Sequence, residues 1–146
     1  DVPHPTPRQG LIPPMHSLLI HPGLRDCRRL FLRDYEVRMN IGVHDFEKRG
    51  EQRVLINVEL YVPLAVSTPT RDELDEVLDY DFIRRSIVAR LARGHVHLQE
   101  TLCDDVLAMM MAHPKVRAAR VSSEKPDVYP DCKAVGCEVF AMKESP

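Results

Sequence analysis

Five aliphatic residues at every second position, Val54, Ile56, Val58, Leu60 and Val62, constrain the fold more than any other feature of this chain. A period of two places all five on one side of a β-strand, and a face that apolar has to be buried. A second alternation precedes it. Tyr35, Val37, Met39, Ile41 and Val43 are interleaved with Asp34, Glu36, Arg38, Asn40 and Gly42, which predicts a strand with one dry and one wet face. The polar connection His44 to Glu51 contains Gly50 and is short, so the two strands are expected to pair antiparallel.

The period then changes to that of a helix. An acidic stretch, Asp72 to Asp79, leads through Tyr80 to a helix expected to start near Asp81 as its N-cap. Ile83, Ile87 and Leu91 recur every four residues, and Gly94 can end the helix. A second helix is predicted from about Leu98 to His113, stopped by Pro114. Leu98, Leu102, Val106 and Met109 form one stripe, widened by Cys103, Leu107 and Met110. Two more strands follow: a weakly patterned one over Val116 to Glu124, and one on which Val135, Cys137, Val139 and Ala141 alternate. Pro126, Pro130 and Asp131 mark the turn between them. This order predicts an α+β fold, a four-stranded antiparallel sheet with both helices on one face. The other face and the sheet edges still need cover.

Residues 1–27 differ from the rest. Pro3, Pro5, Pro7, Pro13, Pro14 and Pro22 are half of the chain's twelve prolines. Such a segment is excluded from helices and central strands and reads as an extended arm, with a neighbouring subunit as one surface to rest on. Because the chain starts with Asp1 rather than Met, an upstream piece is expected. Residues 28–146 form the domain, and 146 residues suit one core rather than two. With 20 basic against 22 acidic side chains, the net charge of −2 gives no general attraction to nucleic acid or an anionic membrane. No apolar run approaches the roughly 18–20 residues of a membrane span, and there is no secretory signal pattern. Cys27, Cys103, Cys132 and Cys137 show no C-x-x-C spacing and are read as reduced thiols of a cytoplasmic protein.

Taken singly, the polar residues that could carry chemistry all have ordinary structural readings. Glu100 in the first turn of the second helix favours the helix dipole. Lys125 ends a strand before Pro126, Tyr80 precedes a helix as a packing anchor, and Glu47 sits in a polar loop. His95 and His97 form an H-x-H pair, but they precede a helix with no third ligand at a matching spacing, so no metal site is expected.

Four strings change that reading when taken together. IGVHDFEKRGEQ (Ile41 to Gln52), LDYDFI (Leu78 to Ile83), LQET (Leu98 to Thr101) and VSSEKPDVYPDCKAVGCEV (Val121 to Val139) resemble the dihydroneopterin aldolase family, in that family's order and with similar gaps. The resemblance covers roughly Leu30 to Met142 and implies a tunnelling fold. In that fold, four-stranded sheets with two helices join side by side into an oligomeric barrel, two rings stack into a homo-octamer, and the sites lie between neighbouring subunits. The implied ligand is a small-molecule pterin, with neither nucleic acid nor membrane as partner.

The implied reaction is the retro-aldol cleavage of dihydroneopterin to hydroxymethyl-dihydropterin and glycolaldehyde. Glu100 matches the carboxylate that anchors the pterin, where two adjacent ring donors meet two acceptor oxygens. Leu98 and Gln99 would help frame the ring. Lys125 matches the catalytic lysine, which removes a side-chain hydroxyl proton directly or through a water. An ammonium cannot accept a proton, so Lys125 is expected to shed its own through partial burial or to orient that water. Tyr80 matches a tyrosine contributed by the adjacent subunit, with a proton-relay role. Glu47 matches a glutamate that positions Lys125 and the water. The dihydropterin's own C=N bond takes up the electrons, so no cofactor and no metal are implied. His44 and Gln99 depart from residues common in the family, tyrosine and leucine. The alternatives are the sister epimerase acting on dihydroneopterin triphosphate, and a non-catalytic pterin- or purine-binding module of the same fold.

Overall fold

The computed structural model describes residues 17–43, 45 and 50–144. Strands β1 (Cys27–Met39) and β2 (Gln52–Pro63) are followed by helices α1 (Asp81–Leu91) and α2 (Gln99–Met111), then by strands β3 (Ala118–Lys125) and β4 (Val135–Met142). The sheet order is β1-β2-β3-β4, antiparallel throughout, as the sequence predicts. Val54, Ile56, Val58, Leu60 and Val62 of β2 are all essentially inaccessible. They form one core with Ile83 and Ile87 of α1 and Leu102, Cys103, Val106 and Met110 of α2. Burying each such aliphatic side chain contributes about 1.5–3 kcal/mol.

In β1 the apolar phase changes midway. Leu30 and Leu32 pack on the core at even positions, while Tyr35, Val37 and Met39 do so at odd ones. One extra residue is needed to switch faces, and the pairing with β2 is irregular between Leu32 and Tyr35. Asp34 sits there with φ 52°, a left-handed conformation that short polar side chains tolerate. Its N–H donates to Asn57 Oδ1 at 2.7 Å, and Asn57 Nδ2 returns a bond to Asp34 Oδ1 at 3.2 Å.

Two expectations about the helices need correction. The cap of α1 is Asp79, not Asp81: the Asp81 N–H donates to Asp79 Oδ1 at 2.9 Å. Tyr80 already has helical angles, and Phe82 N–H reaches the Asp79 carbonyl at 3.0 Å. On α2 the buried stripe is Leu102, Cys103, Val106 and Met110, while Met109 is only partly buried and Leu98 is 49% exposed. A step of 100° per residue turns Met110 rather than Met109 onto the sheet. Arg90 of α1, itself buried, locks the two helices by donating from Nε to Asp105 of α2 at 2.6 Å.

The sheet face opposite the helices is polar. Glu59 accepts from Arg29 at 2.8 Å, from Arg120 at 2.6 Å and from the Tyr61 hydroxyl at 2.7 Å. Burial, helped by the Glu59 hydrogen bond, pushes the Tyr61 hydroxyl up to about 12. The same hydroxyl accepts from the Leu18 N–H at 3.0 Å. Residues 17–26 of the proline-rich arm thus rest on their own chain. Leu24, with Leu18 and Leu19 against it, packs with Tyr61 and Ala118 in a second small core. Arg117 pairs with Asp26. Among the described residues no helix is long and apolar enough to cross a membrane.

The loop between β2 and α1 is organised around one carboxylate. Glu76 accepts from the N–H and hydroxyl of Thr70, both at 2.9 Å, from Arg71 N–H at 2.9 Å and from Glu73 N–H at 3.1 Å. The Thr70 N–H contributes most to lowering its pKa from 4.5 to about 2. A depressed carboxylate stabilises the fold above its unfolded value and ceases to do so as pH falls through the folded one. The stability difference between the wild type and Glu76→Gln is therefore expected to be full above pH 4.5 and to vanish near pH 2, as measured by thermal denaturation across that window.

Candidate active site

Seating α2 on the sheet carries its first turn over the end of β3. Leu98 is the extended N-cap residue (φ −123°, ψ 141°), and its carbonyl accepts from Leu102 N–H at 3.3 Å. The side chain of Leu98 makes no capping hydrogen bond, so the exposed amides of the first turn favour a negative charge there, which Glu100 supplies. Lys125 is the last residue of β3, only 7% exposed, and pairs in register with Val135 at the start of β4. Glu100 and Lys125 line one cleft of about 180 Å³.

The far wall comes from the end of the first strand. Beyond β1 the chain forms a parallel bridge from Ile41 to Val96, and Gly42 N–H donates to the Val96 carbonyl at 3.3 Å. This brings Gly42, with φ 126°, and Val43 to the cleft. Val128 and Tyr129, from the β3–β4 connection, close the remaining side. That connection is moored to β2 by Arg53, whose Nε and Nη2 reach the two Asp127 carboxylate oxygens at 3.2 and 3.1 Å. The Arg53 guanidinium lowers the Asp127 pKa. Val43, Leu98, Tyr129 and Val135 are 50%, 49%, 50% and 37% exposed, so the mouth is an apolar rim around one acid and one amine. That combination fits a flat heterocycle with polar edges.

The residues expected from sequence distribute as follows. Glu100, Lys125, Leu98 and Gln99 meet in the cleft. Tyr80 does not line it within the chain; it stands at the start of α1 with 67% exposure. Glu47 and His44 lie outside the described residues. The His95 and His97 rings make an edge contact at 4.7 Å, and His97 reaches the cleft. Among the described residues no group of three or more His, Cys, Asp or Glu is placed to hold a metal ion. Sequence reasoning missed Val43, Val128 and Tyr129. A larger concavity, about 810 Å³, lies on the opposite sheet face. It is lined by Arg29, Glu59, Arg120 and Glu138, which pair among themselves and are thereby spent on structure.

Known proteins share this fold. A family model described as dihydroneopterin aldolase matches residues 30–140. A crystal structure of dihydroneopterin aldolase from Burkholderia thailendensis, bound to guanine, is 60% identical with a TM-score of 0.80, covering 86% of this chain and 99% of that one. The E. coli dihydroneopterin aldolase structure in complex with neopterin shares the fold, with 21% identity and a TM-score of 0.67 over 78% of this chain and 98% of that one. The chain is also 29% identical over 107 residues to a dihydroneopterin triphosphate 2'-epimerase of Pseudomonas aeruginosa, covering 73% of this chain and 84% of that protein.

The cleft floor depends on Gly136, next to Val135. A Cβ there would lie 2.0 Å from the Ser123 carbonyl oxygen and 2.9 Å from Glu124 Cα, so β3 and β4 would have to part beside Lys125. Gly136→Ala is expected to destabilise the chain by about 1–3 kcal/mol, read as a lower midpoint in chemical denaturation.

Proposed function

The chain belongs to the dihydroneopterin aldolase family, and on that premise we propose that it cleaves dihydroneopterin to hydroxymethyl-dihydropterin and glycolaldehyde. The observation that carries this reading is the meeting of Glu100 and the buried Lys125 in one apolar-rimmed cleft. A pterin offers a ring N–H and an exocyclic amine side by side, and the two Glu100 oxygens can accept both. Guanine has the same pair of donors, and a relative 60% identical to this chain holds it.

With the ring hooked on Glu100, the trihydroxypropyl side chain extends toward Lys125. Its amine, or a water it orients, takes the proton of the second side-chain hydroxyl. The bond between the first and second side-chain carbons breaks, its electrons move into the ring C=N bond, and glycolaldehyde leaves. The resulting enamine takes a proton at the first side-chain carbon, so one proton is removed and one returned, with no net redox change. We assign that proton delivery to Tyr80 of a neighbouring chain, which its exposure at the head of α1 permits, and the placing of Lys125 and the water to Glu47. The proposed assembly is a homo-octameric barrel with sites between chains. Among the described residues β1 and β4 are the outer strands of the sheet, and their edges and the apolar rim of the cleft both call for such cover.

The second reading, epimerisation of the triphosphate, is favoured by the curated relative in Pseudomonas aeruginosa. A triphosphate calls for several cations. Among the described residues lining the cleft the basic groups are Lys125 and His97, and nearby Arg53 is held by Asp127. The dihydroneopterin aldolase structure that is 60% identical to this chain supports the unphosphorylated substrate. Incubation with dihydroneopterin and with its triphosphate, without added metal, separates the two: glycolaldehyde is expected from the first, and an epimerised triphosphate without glycolaldehyde would reverse the assignment.

Lys125→Ala is expected to lower kcat by roughly 100- to 10,000-fold while guanine affinity stays near that of the wild type. Near-normal turnover would remove Lys125 from the mechanism. Glu100→Ala is expected to weaken guanine binding by about 100-fold in a calorimetric titration, because two hydrogen bonds to a charged acceptor are lost together.

A further inference from the structure

We propose that Gln99 is a positioning residue, whose side-chain amide bolts the first turn of α2 to the ends of β3 and β4 and so sets the separation between Glu100 and Lys125. The inference rests on the aldolase reading, which is what gives that separation its purpose.

The geometry is specific. Ser123 Oγ donates to Gln99 Oε1 at 2.8 Å, and Gln99 Nε2 donates to the Val135 carbonyl at 3.2 Å. Ser123 is 1% exposed and lies two residues before Lys125, on the same face of β3. Val135 is the cross-strand partner of Lys125. Gln99 itself is the residue before Glu100. One amide therefore touches both strands that hold the amine, from the residue adjoining the carboxylate.

The Ser123 hydroxyl has a second polar neighbour. Cys103, one turn further along α2, donates from Sγ to Ser123 Oγ at 3.4 Å. With that lone pair engaged, the Ser123 hydroxyl is free to point its own proton at Gln99. The result is a chain from thiol to hydroxyl to amide to backbone carbonyl, each link ordering the next. Both ends of the Gln99 amide are thus engaged with protein. Leu98 offers no side-chain cap, so the first turn takes a polar tie to the sheet from Gln99.

A tie of this kind acts on rate more than on binding. Hooking a flat ring needs Glu100 alone, whereas proton removal needs ring and amine at a set spacing, and a misplacement of about 1 Å can cost about 100-fold. Gln99→Ala and Ser123→Ala, each of which removes one side of the tie, are expected to lower kcat on dihydroneopterin at least roughly 10-fold, with the guanine Kd shifting less than about 3-fold. The double variant should be no worse than the poorer single one, because both substitutions break the same link. Ser123→Thr, which keeps the hydroxyl on a strand that accepts β-branching, should restore turnover. A merely structural loss would lower the melting temperature and the guanine stoichiometry without splitting kcat from Kd. Wild-type kcat in Ser123→Ala, or losses that multiply in the double variant, would overturn the inference. If the unmodified protein releases no glycolaldehyde, the functional reading itself fails; if it does and the variants match it, only the role of Gln99 fails.

Discussion

Leu102, Cys103, Val106 and Met110 seat α2 on the sheet, and the content of the cleft follows from where that seat leaves the helix's first turn. Their burial is non-directional and would tolerate some sliding. Polar contacts remove the slack. Arg90 fixes α2 against α1 through Asp105, and Ser123 with the Val135 carbonyl fixes the front of α2 through Gln99. Aliphatic packing thus supplies the affinity of helix for sheet, while a few hydrogen bonds supply its register.

Much of this was legible in the sequence. The β2 alternation identifies its inward face residue by residue, and every one of those side chains is buried. The helices were visible as a change of period. What escaped was local backbone choice. Asp79 and Asp81 are equally good caps by residue type, and only the turn at Tyr80 decides between them. Met109 and Met110 are equally apolar, and only the rotation of α2 separates them. The switch of apolar parity from Leu30 and Leu32 to Tyr35 was written in the sequence, but reading it requires expecting a left-handed Asp34.

The site divides in the same way. Glu100 and Lys125 belong to strings with a recognisable order, and they do share a cleft. Its apolar walls come from Val43 beyond β1 and from Val128 and Tyr129 in the β3–β4 connection, two segments with no common spacing, so no pattern announces them. Gln99 stands out in the sequence by its place beside Glu100. Its partner Ser123 is buried on another element, and no sequence rule joins an amide to a hydroxyl across that gap. The concave polar face illustrates the reverse hazard. It is the larger hollow, yet Arg29, Arg120 and Glu138 pair within it around Tyr61 and Glu59, with Arg29 Nε left buried and unbonded.

The Val135 carbonyl carries one more consequence. It belongs to the first residue of β4, an outer strand of the sheet, and it receives the Gln99 amide from the cleft side. Anything that straightens or braces that strand from outside therefore acts on a wall of the cavity. By thermodynamic reciprocity, a ligand that prefers the braced form must strengthen the bracing by the same factor with which bracing tightens the ligand.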